Sequence, residues 1–207
     1  MKNKVFNIYK LIFIISISVF IFMAVCLKLG YLDSFDDALR YGIYQTRTRY
    51  LTYLWRFITY CGERYTVIAI VLILLFNKNL RSRYGNKFAV SAILSTAIYL
   101  VMKQVFQRAR PDIALRLIEQ GGYSFPSGHA MNCLVSYGIL IYLILKNFEN
   151  RKTAKLLSVL LCLLIILIGL SRVYLGVHYP SDIIAGWSLG IAVLVGLMFT
   201  FEKLDSK

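Results

Sequence analysis

The chain is poor in the residues that build metal sites and solvated surfaces. Its 207 residues include two His, three Pro and four Cys, and ten Asp or Glu stand against 24 Lys or Arg. Cys26, Cys61, Cys133 and Cys162 lie in or beside apolar stretches, with no C-x-x-C pair and no zinc-type spacing. They are read as small core hydrophobes rather than as a disulfide frame or a metal site. Charged residues make up 16% of the chain, below the roughly 25% of an average soluble domain, which excludes disorder and a coiled coil. Neither internal repeats nor low-complexity tracts occur.

Apolar residues take the place of charge, at 58% of the chain against about 45–50% in soluble domains. They fall in six charge-free stretches: Leu11–Leu27, Tyr65–Phe76, Phe88–Met102, Ala130–Leu145, Leu156–Ser171 and Ile183–Phe201. The fold class expected is all-α, a bundle of six transmembrane helices in one membrane-embedded domain over residues 1–207. Several stretches are shorter than the ~20 residues that a ~30 Å hydrocarbon layer requires, but flanking Tyr, Lys and Arg can snorkel to the interface. The first stretch follows Lys2, Lys4 and Lys10 as a signal peptide would, yet no A-x-A site follows it and it is read as a retained helix. Between the first two spans, Leu51, Leu54, Trp55 and Ile58 share a face opposite Arg49, Arg56 and Glu63. That spacing predicts an interfacial amphipathic helix over 49–63, either a cover on the bundle or a guide for lipid headgroups.

Residues 1–10, 77–87, 146–155 and 202–207 hold 3, 4, 4 and 2 Lys or Arg, whereas the longer segments 28–64, 103–129 and 171–182 hold 6, 4 and 1. The positive-inside bias therefore predicts a multi-pass membrane protein with both termini cytoplasmic and the longer loops outside. The net charge of +14 is then explained by anionic lipid headgroups, with no nucleic acid implied.

Every His and every Pro falls in two of those outer loops. Lys103 and Arg110 are seven residues apart, which predicts that both cations project from one face of a helix that Pro111 interrupts. Ser127 and Gly128 sit where a turn feeds a helix N-terminus, a place that offers N–H groups to an anion. Arg172 supplies a fork of donors for oxyanions, and His178 has Asp182 one helical turn ahead if a helix starts near Pro180. Asp182 can then accept a hydrogen bond from one ring N–H and leave the other nitrogen with a free lone pair. The ligand these groups suit is a phosphate.

Lys103-x6-Arg110-Pro111, Pro126-Ser127-Gly128-His129 and Ser171-Arg172-x5-His178-x3-Asp182 together resemble the three signatures of the type-2 phosphatidic acid phosphatases, the integral-membrane lipid phosphate phosphatases. The resemblance covers roughly residues 60 to 200. It implies a metal-independent and cofactor-free phosphatase working through a phosphohistidine. In that scheme His178 attacks phosphorus, Asp182 orients it, and His129 protonates the departing oxygen and then activates water. Lys103, Arg110, Ser127, the Gly128 amide and Arg172 hold the phosphoryl oxygens. The substrates that the resemblance implies are undecaprenyl pyrophosphate, phosphatidylglycerophosphate or phosphatidic acid, taken from the surrounding lipid at the outer face of a plasma membrane. Two histidines in opposite protonation states also imply a bell-shaped pH profile.

Other polar residues read more plainly. Arg108 and Arg116 are expected to be headgroup contacts or solvated charges, and Asp33, Asp36 and Asp37 to be loop-solubilising or helix-starting residues. Asp112 is expected to form a turn or to orient Arg110. A lipid phosphotransferase would use the same histidine with an alcohol in place of water. A non-enzymatic transporter fits less well, because no span has a charge at its centre.

Overall fold

The computed structural model describes residues 2–205. Among them are nine α-helices: α1 (Lys2–Lys28), α2 (Asp33–Gln45), α3 (Arg49–Tyr60), α4 (Arg64–Phe76), α5 (Lys78–Leu80), α6 (Asn86–Phe106), α7 (Gly128–Asn147), α8 (Arg151–Tyr174) and α9 (Pro180–Asp205). A π-turn over Arg81–Gly85 joins α5 to α6, and a 3-10 turn occupies Ile113–Leu115.

Five helical segments are long and apolar enough to cross a bilayer: Phe6–Lys28, Lys78–Phe106, Gly128–Asn147, Arg151–Tyr174 and Pro180–Asp205. The stretch around Tyr65–Phe76 differs. Its helix α4 has 13 residues, about 20 Å of rise and too short for the hydrocarbon layer by itself. With α3 it forms a pair long enough to span, bent by 42°. The amphipathic helix expected over 49–63 therefore ends at Tyr60, and Glu63 sits at the N-cap of α4 rather than on the polar face of α3. Thr48 begins α3 by accepting the Leu51 amide proton, and Trp55 lies against the Tyr174 ring at 5.5 Å, so α3 does cover the end of α8.

The segment 77–87 is helical rather than an open loop. Asn77 caps the start of α5 by accepting from the amides of Asn79 and Leu80, at 3.0 and 3.2 Å. The chain thus turns directly from α4 into the 29-residue segment Lys78–Phe106. At the same end, Asn150 accepts from the Lys152 and Thr153 amides and closes the α7–α8 hairpin.

Helix α7 is the axis of the bundle, with α6, α8 and α9 packed around it and α1 laid against α9. Its residues from Ala130 to Ile144 supply much of the core, including Met131, Val135, Ile139 and Leu143. A Cβ on Gly186 would come within 2.7 Å of the Ser127 carbonyl oxygen. Only a small residue lets α9 meet the start of α7 this closely. That approach lets the Ser127 amide donate to the Asp182 carbonyl at 3.0 Å and fixes the two helix starts against each other. Large apolar side chains left exposed on α1, α4, α6 and α8, such as Ile15, Ile73, Ile93 and Leu163, face outward where lipid would lie. Asp36, Thr59, Ser127, Arg172, His178, Ser181 and Asp182 are all buried, and the contacts among them gather at the end of the bundle where α7 and α9 begin.

Candidate active site

The last turn of α8 sets His178. After Tyr174 the chain turns through Gly176, whose φ of 77° is the left-handed conformation that glycine accepts without strain. The Val177 and His178 amides both return to the Arg172 carbonyl, at 3.1 and 3.3 Å. The spacing between Arg172 and His178 is thus the length of one helix-ending turn. Pro180 then opens α9 as its first residue, where its missing N–H costs nothing. Asp182 reaches back to accept the Tyr179 amide proton at 2.9 Å, a capping contact that also fixes its carboxylate.

Asp182 Oδ2 lies 3.2 Å from His178 Nδ1, and both side chains are almost fully buried. The carboxylate can only accept, so Nδ1 carries the ring proton and Nε2 holds the lone pair. Arg110 confirms that tautomer, because its guanidinium donates to Nε2 at 3.1 Å and to the Val177 carbonyl at 2.7 Å. Burial pushes the His178 imidazolium well below its ordinary range, and the charges of Arg110, Lys103 and Arg172 push the same way. Burial likewise lowers the Arg110 guanidinium to about 10. The ring is therefore neutral at neutral pH, with its lone pair turned toward cations.

The sequence placed Lys103 and Arg110 on one helix face, and here the structure differs. Helix α6 ends at Phe106, where Gln107 adopts a left-handed φ of 47° and returns its amide to the Lys103 carbonyl. Arg110 thus projects from the following loop, braced by the Gly121 and Gly122 carbonyls at 3.1 and 2.9 Å. Lys103 donates to the carbonyls of Tyr123 and Ser124, just ahead of the start of α7. There Ser127 is the N-cap of α7 and accepts from the Ala130 amide at 3.3 Å. Gly128 has no positive φ; glycine is required because a Cβ would meet the Tyr99 ring at 2.9 Å.

His129 and Arg172 form the other half of the site around Glu63. His129 Nε2 is 3.3 Å from Glu63 Oε1, and Arg172 is 4.0 Å from the same oxygen. Arg172, fully buried, donates to Thr59 Oγ1 at 2.7 Å and to Gln120 Oε1 at 2.5 Å. Thr59, Glu63 and Gln120 line an open cavity of about 840 Å³ between α3 and the 112–121 loop, together with Arg56, Arg116 and Gly121. The partners of His129 and Arg172 thus front a space large enough for a headgroup.

Three residues read as incidental in the sequence are structural parts of the site. Arg108 is not a headgroup contact: only 9% of its side chain is exposed, and it joins Asp182 at 2.8 Å to Asp36 at 2.7 Å. Burial opposes its charge, but Asp182 and Asp36 outweigh that and raise its pKa. Asp36 is fully buried rather than solubilising, and Glu63 supplies the carboxylate beside His129. Arg116 is not free in solvent either, since it donates to the Pro111 carbonyl at 2.8 Å. Asp112 accepts from the Ala114 amide at 2.9 Å, a turn contact of the kind expected. One signal for the buried acids was present: with ten acids for 24 bases, buried cations have few available counter-ions. Among the described residues, no three His, Cys, Asp or Glu side chains gather as a metal cage.

Comparison with known proteins adds a family to this geometry. Residues 84–205 match the PAP2 superfamily profile. Phosphatidylglycerophosphatase B of Bacillus subtilis (strain 168) is 28% identical over 191 residues, covering 91% of this chain and 92% of that protein. An undecaprenyl-diphosphatase of Sulfolobus acidocaldarius is 33% identical over 139 residues, covering 65% of this chain and 63% of that one. The crystal structure of a transmembrane PAP2-type phosphatidylglycerolphosphate phosphatase from Bacillus subtilis superposes with a TM-score of 0.82 at 26% identity, over 91% of this chain and 96% of that one.

Proposed function

The chain belongs to the PAP2 superfamily and is an integral-membrane lipid phosphate phosphatase, and we propose that it cleaves its substrates through a phosphohistidine on His178 without a metal ion. The observation that carries this reading is the placement of the buried His178, with Nδ1 3.2 Å from the Asp182 carboxylate and Nε2 3.1 Å from the Arg110 guanidinium. The Nε2 lone pair forms an N–P bond as the bond from phosphorus to the lipid oxygen breaks, and that oxygen takes a proton from His129. Water then gives a proton to His129 and attacks phosphorus, the N–P bond breaks, and inorganic phosphate leaves with the ring neutral again. Arg110, Lys103 and Arg172 hold the oxygens through both steps, together with Ser127 and the Gly128 amide. Phosphoryl transfer asks for little beyond such positioning and charge stabilisation.

The substrates proposed are undecaprenyl pyrophosphate, phosphatidylglycerophosphate and phosphatidic acid, and the names of the two relatives support the first two. The density of Lys and Arg supports cytoplasmic termini and a site at the outer surface. The test is phosphate release from each lipid by detergent-purified protein in excess EDTA. Release is expected to continue undiminished by the chelator, and release from none of the three lipids would overturn the reading.

A pH profile checks the histidine assignments separately. His178 must be neutral to attack, and its site lowers its pKa, so activity persists as the pH falls below the ordinary histidine value of about 6.5. The acid limb of kcat/KM is expected well below that value, after correction for the substrate's second ionisation near pH ~6. An alkaline limb, where the group that protonates the leaving oxygen loses its proton, is expected to complete the profile. An acid limb at or above the ordinary value would rule out His178 as the buried nucleophile.

A further inference from the structure

Asp36 lies in the helix that follows the first span, outside the 84–205 segment matched by the family profile. Its carboxylate is fully buried and fully engaged. Oδ1 accepts from the Ser181 amide at 2.8 Å, and Oδ2 accepts from the Ser181 hydroxyl at 2.6 Å and from Arg108 at 2.7 Å. Arg108 spends its other terminal nitrogen on Asp182 Oδ1 at 2.8 Å and on Ser181 Oγ at 2.7 Å, and it stacks on the Tyr179 ring at 3.9 Å. The order of contact is Asp36, Arg108, Asp182, His178.

This chain of contacts holds two carboxylates and one guanidinium, so with a neutral His178 it carries one net negative charge, on which Arg110 and Lys103 act from beyond the chain. Buried charge of that kind is costly unless something offsets it. An offset in direct contact with Asp182 comes when Nε2 bonds to phosphorus, because a ring phosphorylated at Nε2 and still protonated at Nδ1 is cationic. Without Asp36, Arg108 would neutralise Asp182 alone, and the developing charge on the ring would find no free counter-charge. We propose that Asp36 is a positioning residue that occupies Arg108 and so keeps the charge of Asp182 available to His178 during phosphorylation. The inference rests on the phosphohistidine reading above.

Asp36→Asn keeps the shape of the side chain and removes its charge. It is expected to slow phosphohistidine formation and kcat by about 10- to 100-fold, while inorganic phosphate inhibits with an unchanged constant, since Asp36 does not face the phosphate. The double variant Asp36→Asn/Arg108→Gln restores the original net charge around Asp182 and is expected to run at least about fivefold faster than Asp36→Asn. On an Asp182→Asn background, Asp36→Asn is expected to add less than about a twofold loss. A brace acting only through packing would instead make the double variant as slow as the single one or slower, and that result overturns the proposal, as does an Asp36→Asn protein of full speed. If Asp36→Asn fails to fold, the double variant alone decides, by matching or falling far below the parent. A parent protein that releases no phosphate overturns the phosphatase chemistry itself, whereas an active parent with the wrong variant ranking overturns only the role of Asp36.

Discussion

Replacing His178 by Ala is expected to lower phosphate release from every substrate by about ten-thousand-fold or more, with no acid-labile phosphoprotein trapped at any time in the reaction. The size of the loss follows from how few groups at this end of the bundle can attack. His178 is the residue whose lone pair is held in place from both sides, by Asp182 behind the ring and Arg110 in front. Cys133, another buried nucleophile type near the site, donates its thiol to the Gly62 carbonyl and is not activated. Removing the imidazole leaves the cations in place, so substrate is expected to bind with little change in KM while kcat collapses. Asp182→Asn tests the same geometry from behind. A carboxamide no longer fixes the ring proton on Nδ1, and the buried Arg108 loses a charged partner. A loss of about a thousandfold is expected there, with phosphohistidine still formed but slowly. Full-speed release by His178→Ala would transfer the nucleophile to water and end the covalent scheme.

The pairing of His178 with Asp182 was legible in the sequence because the two residues are local. His178 and Asp182 are one helical turn apart, and Pro180 marks where that turn starts, so three residues in one short segment determine the geometry. Lys103 and Arg110 show the limit of such reasoning. Their spacing suits a continuous helix, but Gln107 adopts a left-handed conformation and closes α6 early, and nothing in the composition around Gln107 announces that stop. The cations still converge, since the loop that carries Arg110 is pinned by the carbonyls of Gly121 and Gly122. The bend between α3 and α4 was similarly hidden: the charge-free run began at Tyr65, and only packing reveals that Arg49–Tyr60 and Arg64–Phe76 make a broken pair.

Asp36 and Glu63 were not recoverable from local pattern at all. Asp36 reaches Ser181 across 145 positions of sequence, and Glu63 reaches His129 from another loop. On their own helices they look like ordinary polar residues at helix starts. What distinguishes them is their surroundings, Asp36 buried against Arg108 and the partly exposed Glu63 beside an imidazole, and that is a property of tertiary packing. Both precede the segment that the family profile covers. The first part of this chain therefore contributes one acid to each half of the site: Asp36 behind the His178–Asp182 pair and Glu63 beside His129.

The second histidine should reveal itself by which substrates it is needed for. His129→Ala removes the group proposed to protonate the departing oxygen, so the loss should scale with how badly that oxygen needs a proton. A lipid alcohol leaves as a strongly basic alkoxide, and for phosphatidic acid or phosphatidylglycerophosphate a loss of about a thousandfold is expected. An aryl phosphate with an acidic phenol departs without help, so its transfer to His178 is expected to slow by only about tenfold. Undecaprenyl pyrophosphate releases a phosphate ester rather than an alkoxide and should fall between the two. Hydrolysis of the phosphohistidine also needs His129, to take a proton from water, so with the aryl substrate the variant should show a burst followed by accumulation of phosphoprotein. Glu63 sharpens the expectation. It lies 3.3 Å from His129 Nε2 and 4.0 Å from Arg172, so removing its charge changes the immediate surroundings of the proposed proton donor. Glu63→Gln is then expected to mimic His129→Ala in weaker form, slowing lipid phosphates more than the aryl phosphate. Equal losses on all leaving groups, with no phosphoprotein accumulating, would show that His129 holds the phosphate rather than moving a proton.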